Sequence, residues 1–187
     1  MNLIDNVNVY GLENAIRVSK FPMAVDPEKC TSEITNTTRN LGSCGMGEGH
    51  DNYLNGIVVQ FDLSFTIKAW VEAERYHFFD FISSMSTMHC ASKFDIRKQC
   101  NEYVTENTLA EVEQLKEQYL RDRTIENYLT LLYNIPTGFR LTAGMTTNYR
   151  QLKTIYHQRK NHRLPEWREF CKWCESLPHF KELCLNE

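Results

Sequence analysis

The chain has 187 residues, 42% of them hydrophobic and 24% charged, with 8 Gly and 5 Pro. These proportions exclude a disordered, collagen-like or linker-dominated chain and fit one domain spanning 1–187. The formal charge of −3 gives no reason to expect nucleic acid or a membrane surface as partner.

No apolar run reaches the roughly 20 residues that span a bilayer. The first six residues carry neither a basic segment nor an apolar stretch of the signal-peptide kind. The seven Cys, at 30, 44, 90, 100, 171, 174 and 184, therefore read as reduced cytoplasmic thiols.

In chain order, Asn6–Tyr10 alternates apolar and polar residues and predicts a strand. Gly11–Lys20 follows with Leu12, Ala15, Ile16 and Ser19 at helical spacing. Cys30–Asp51 is rich in Thr, Asn and Gly and predicts a loop of about 20 residues. Leu54–Leu63 is β-branched and predicts a second strand. From Phe65 the period becomes helical through Ala69, Ala73, Tyr76 and Phe79, to about Ser84. Helices follow over Thr108–Gln118 and Ile125–Tyr133, then a Pro-Gly stop at 135–138. Phe139–Met145 suits a strand. A helix capped within Thr146–Asn148 runs to about Lys160, and a last helix opens near Pro165 and ends at Pro178. This order predicts an α+β fold with a mixed or antiparallel sheet and helices packed on it.

The chemistry concentrates in residues 146–168. On a helix Asn148, Leu152, Ile155 and Arg159 share a stripe, because eleven residues return to within about 20°. Arg150, Lys153, Lys160, His162, Arg163 and Arg168 make this quarter basic. Guanidinium groups pair bidentately with phosphate, so an anionic ligand is one reading. A surface helix with solvated charges is the other.

In residues 72–88, Arg75 and His77 sit among aromatics with Asp80 nearby. His77 is positioned to act as acid or base, with Asp80 orienting it. The competing reading makes Tyr76–Phe81 core or interface and pairs Arg75 with Glu72 or Glu74. Cys171-x-x-Cys174 reads as two buried thiols within a helix rather than metal ligands. Neither a Gly-rich dinucleotide fingerprint, a P-loop nor a nucleophile elbow occurs.

Short segments in a common order resemble the flavin-dependent thymidylate synthases. These are Asn14–Ser19, Gly49-His50-Asp51, Ile135-Pro136, Asn148-Tyr149-Arg150-Gln151-Leu152 with Arg159, and Glu166-Trp167-Arg168. The resemblance implies that family's α+β domain and a cytoplasmic homotetramer with sites built between subunits. It also implies methylation of the nucleotide dUMP by methylenetetrahydrofolate, using FAD and NADPH. It places Asn148 and Arg150, with Arg75 and His77, at the flavin, and Arg159, with Ser84 and Ser86, at the nucleotide. No catalytic residue and no metal is assigned.

The chain departs from the family's R-H-R-x-x-S-x-N-E-x-S-x-R signature. Only Arg75 matches at its start, followed by Tyr76 and His77, and Asp80 stands at the first Ser. A one-residue slip brings Ser84 or Ser86 to a Ser position. Leu132 replaces a nucleotide-binding Arg. Losing several charge-assisted bonds weakens a nucleotide by orders of magnitude. An inactive homologue that binds a nucleotide-like anion or a protein partner is therefore the alternative, and an assembly role through Tyr76–Phe81 a third.

Overall fold

The computed structural model describes residues 2–45, 47–185 and 187. Met46, in the middle of the Gly-rich loop noted above, lies outside them. In chain order the elements are β1 Ile4–Tyr10, α1 Leu12–Val18, α2 Asn36–Gly42, β2 Val58–Thr66, α3 Ile67–Ala73, β3 Asp80–Ser84, α4 Thr87–Cys90, α5 Ile96–Gln99, α6 Glu106–Arg121, α7 Ile125–Tyr133, β4 Arg140–Asn148, α8 Tyr149–Arg159 and α9 Pro165–Ser176. Among the described residues the strands form one antiparallel sheet in the order β1-β2-β4-β3.

The central pair, β2 and β4, runs in unbroken register from Val58 opposite Asn148 to Thr66 opposite Arg140. Alternation decides which face is covered. Val59, Phe61, Leu63 and Phe65 are buried, as are Ala143, Met145 and Thr147 of β4. Helices α8 and α9 lie on that face. Phe65 meets the Trp167 ring edge-on at 4.8 Å, and Phe61 meets Phe170 at 6.1 Å. Each such ring removes about 1.5–3 kcal/mol worth of apolar surface from water. A second, smaller core under α6 and α7 gathers Ala91, Ile96, Val112, Leu131 and Phe139.

The α+β architecture matches the sequence reading, but three local expectations fail. The expected loop over Cys30–Asp51 contains α2, because Thr35 and Thr38 form a reciprocal capping box. The strand expected from Leu54 begins at Val58, since residues 50–56 wind into a 3-10 turn that buries Leu54. The helix expected from Phe65 to Ser84 is only α3. Phe65 lies in β2, and Asp80–Ser84 is an edge strand paired with β4. Phe78, ahead of that strand, has φ at 57°, and Thr147 Oγ1 donates to its carbonyl at 2.7 Å.

Gly11 enters α1 with φ at 76°, and a Cβ there would strike the Gly56 carbonyl, so both the turn and the packing demand glycine. No described helix is long and apolar enough to cross a membrane.

Candidate functional site

Helix α8 organises the site. It follows β4 directly, and Asn148 caps it by accepting the Gln151 amide at 2.9 Å. Its inner face, Tyr149, Leu152, Lys153, Ile155, Tyr156 and Arg159, is buried. Its outer face carries Gln151, Thr154 and Gln158, which line an open cleft of about 510 Å³ with Arg75, Tyr76, His77 and Arg159. A smaller cleft of about 180 Å³ adjoins it, sharing Gln151 and Thr154 and adding Asn55, Phe78, Asn148 and Arg150.

The basic side chains around these clefts fall into two groups. Arg150 and Arg159 are committed. Arg150 Nε donates to Asp51 Oδ1 at 2.9 Å. Asp51 is 5% exposed, and its other oxygen accepts Lys153 Nζ at 2.9 Å. Lys153 is itself 1% exposed and also donates to the carbonyls of Gly42 at 2.8 Å and Cys44 at 2.7 Å. Three acceptors satisfy all three ammonium protons, which is what permits a lysine so deep. The result is a tie between α8 and the end of the Gly-rich loop.

Arg159 sits in a second network. Its Nε donates to Tyr76 Oη at 2.6 Å and its Nη1 to Glu72 Oε2 at 3.1 Å. The guanidinium lies 5.0 Å from the Trp167 ring centre and 5.4 Å from that of Tyr76. Glu72 Oε2 also accepts Trp167 Nε1 and contacts His162 Nε2, both at 3.2 Å. Burial raises the Glu72 carboxyl, but the Lys68 hydrogen bond and the charges of His162, Lys68 and Arg159 outweigh it and hold the group below its usual range.

Arg75 and His77 form the other group. Both are exposed and make no hydrogen bond or ion pair among the described residues. The expected pairing of Arg75 with Glu72 or Glu74 is therefore absent, because Glu72 serves Lys68 and Arg159 instead. Asp80 does not orient His77. Phe78, which follows it, is turned outward, and of the aromatics in 76–81 only Phe79 is buried.

Of the seven residues anticipated in binding, Asn148, Arg150, Arg75, His77 and Arg159 thus surround one pair of joined clefts. Ser84 and Ser86 do not. Ser84 lies on the exposed edge strand opposite Ala143, and Ser86 precedes α4.

Comparison decides the architecture. A solved flavin-dependent thymidylate synthase, ThyX from Helicobacter pylori complexed with FAD and dUMP, superposes with a TM-score of 0.76 at 14% identity, covering 97% of this chain and 98% of that one. The fold is that of flavin-dependent thymidylate synthase. A second structure of the Helicobacter pylori enzyme with FAD and dUMP gives a TM-score of 0.73 at 15% identity, over 96% of this chain and 95% of that one. No protein-family model matches the sequence, and no curated protein does. On this thymidylate synthase fold the segment 75–87 is partly strand rather than helix, and it frames the joined clefts with its first four residues.

Sequence reasoning missed Asp51, Glu72 and Tyr76 as the groups that hold the two arginines, and Lys153 as the second cation on Asp51. One signal for Lys153 was present. It stands four residues after Tyr149 and beside Leu152, on the buried side of α8. Nothing local tied Glu72 to the site, because its Arg159 and Trp167 partners lie 87 and 95 residues away. The Cys171 and Cys174 thiols are buried as expected, and burial, with Glu175 adding, pushes Cys171 up to about 12.

Proposed function

We propose that the chain binds a flavin nucleotide and a pyrimidine deoxynucleotide along α8 and methylates the latter, as a divergent flavin-dependent thymidylate synthase. One observation supports this above the rest: Arg75, His77, Asn148, Arg150 and Arg159, spread over 85 residues of sequence, line two clefts that share a wall. The unpartnered guanidinium of Arg75 and imidazole of His77, with the amides of Gln151 and Gln158, are a donor set that fits phosphate and pyrimidine oxygens. When bound, the flavin supplies the reducing electrons that NADPH replenishes, and methylenetetrahydrofolate supplies the carbon.

The chain's own residues bind and orient. Arg75 and His77 face the cleft and would take up phosphate charge. Gln151 and Gln158 would read carbonyl and imide groups, which can each accept or donate. Arg159, fixed between Glu72, Tyr76 and Trp167, would offer its cleft-side edge without moving. The all-exposed edge strand β3, with Phe81 and Ile82 open to solvent, would pack in a homotetramer and bring Ser84 and Ser86 to a neighbouring copy's cleft.

A specific observation favours a second reading, an inactive nucleotide binder. Arg150 and Arg159 both spend their charge on carboxylates of the fold, Asp51 and Glu72, so fewer free cations remain than a two-nucleotide site uses. Purified protein that is yellow, or that takes up FAD with a perturbed visible spectrum, and that releases tritium from 5-tritiated dUMP supports the first reading. A nucleotide-dependent rise in melting temperature without flavin uptake supports the second. Colourless protein that responds to neither ligand would falsify both.

A further inference from the structure

A separate open cleft of about 440 Å³ lies between α4, the short turn after it, and the α6–α7 hairpin. It shares no residue with the clefts along α8. Tyr119 and Leu120 near the end of α6, with Arg123 just beyond it, form one wall, because positions three and four apart share a helical face. Met88 and His89 of α4 and Lys93 of the following turn stand opposite.

Bonds of the fold hold the walls in place. Tyr128 Oη, from α7, donates to the Met88 carbonyl at 2.5 Å, and its ring lies 4.9 Å from that of Tyr119. Lys116, one turn ahead of Tyr119 and Leu120, donates to the carbonyl of Phe94, the neighbour of Lys93, at 2.5 Å. Two half-buried tyrosine rings are therefore fixed at the cleft.

The cleft joins an apolar surface to a basic rim. Met88 and Leu120 are 55% and 44% exposed, so a ring laid over them would remove apolar area from water. Lys93, Arg123 and the His89 imidazole are exposed, and their side chains make no hydrogen bond or ion pair among the described residues. No Asp or Glu lines the cleft among the described residues, although the whole chain carries a formal charge of −3. Two unopposed unit charges match a dianion better than a monoanion. The guanidinium fork suits phosphate oxygens, and the tyrosine pair suits a flat ring in edge or offset contact.

We propose that this cleft binds an aryl phosphate, a flat ring joined to a phosphate ester. The ring lies against Tyr119, Leu120 and Met88. The phosphate is taken by Arg123 and Lys93, with His89 as a further donor. The site owes nothing to the residues assigned to flavin and pyrimidine nucleotide along α8.

The test is calorimetric titration with phenyl phosphate, alongside inorganic phosphate, which lacks the ring, and benzyl alcohol, which lacks the charge. Saturable binding of phenyl phosphate is expected, weaker for the other two. Arg123→Gln and Lys93→Gln should each weaken phenyl phosphate by about tenfold. Neither side chain has a partner to lose, so their melting temperatures should match wild type. Tyr119→Leu should weaken phenyl phosphate while leaving inorganic phosphate unchanged. A short phosphotyrosine peptide separates the sources of this chemistry: tighter binding than phenyl phosphate names a protein segment, and weaker binding a small molecule. Arg75→Ala, which alters an α8 cleft, should leave phenyl phosphate affinity unchanged, just as Arg123→Gln should leave FAD and dUMP uptake unchanged. Failure here is thus separable from failure of the thymidylate synthase reading. Absence of saturable binding, affinity indifferent to Arg123→Gln and Lys93→Gln, or loss of binding in Arg75→Ala instead each overturns the proposal.

Discussion

Arg159 donates through Nη1 to Glu72 Oε2 at 3.1 Å, so the cleft's deepest guanidinium is already neutralised within the fold. Their side chains are 11% and 18% exposed. Removing the carboxylate leaves Arg159 and the Trp167 indole without their acceptor. Glu72→Leu is expected to cost about 2–4 kcal/mol, read from the urea midpoint. A loss under about 0.5 kcal/mol would show the pair to be idle.

Arg75 and His77 should behave in the opposite way. Neither has a partner to lose, so Arg75→Ala and His77→Ala should leave stability within about 0.5 kcal/mol of wild type. Each should weaken FAD or dUMP binding by about tenfold. Spectral titration of the two variants checks this, and unchanged affinity in both removes them from the site.

Lys153 is the strictest case. Lys153→Met abandons two buried carbonyls and half of the Asp51 charge, and should cost about 3–5 kcal/mol. The same substitution at Lys160, which is exposed one helical position beyond α8, should stay within about 0.5 kcal/mol. Comparable losses at both sites would contradict the burial argument.

The acid side of the stability curve should report His162. Burial lowers its pKa below 6.5, with Arg159, Lys68 and Arg168 reinforcing and Glu72 opposing. The neutral form fits the geometry, since Nδ1 accepts the Leu164 amide at 3.2 Å and leaves Nε2–H for Glu72. The unfolded chain therefore takes up a proton as pH falls through 6.5 while the folded chain resists, and stability declines below that point. Glu72, lowered from 4.5, adds a further loss as pH falls from 4.5 through its folded value. His162→Gln should flatten the slope between about pH 7 and 5, measured by urea unfolding. An unchanged slope assigns the dependence elsewhere.

Legibility in the sequence followed the range of the interactions. The helices α6, α7, α8 and α9 were readable because their caps and apolar stripes are local: Thr124, Asn148 and Pro165 stand at the starts, and Asn134 and Pro178 near the ends. The stretch 65–84 misled because its aromatics repeat at helical spacing while the pairing of Phe81 with Met145 is set by β4, far along the chain. The clustering of Asn148 with Arg159 followed from helical period alone. Their joining with Arg75 and His77 rested on family resemblance, because no local pattern places residue 75 beside residue 158. The ties from Asp51 and Glu72 were invisible for the same reason, and they change two expected free cations into structural ones.

The nine-rung pairing of β2 with β4 also governs how the molecule can assemble itself. Strands 66 and 140 residues into the chain must meet, so the intervening segment has to close as one large loop before the main core is complete. Loop closure on that scale slows the rate-limiting search, while the short-range α6–α7 hairpin with its own small core can collapse early. Refolding should therefore show helix signal rising ahead of Trp167 burial, with the sheet locking last.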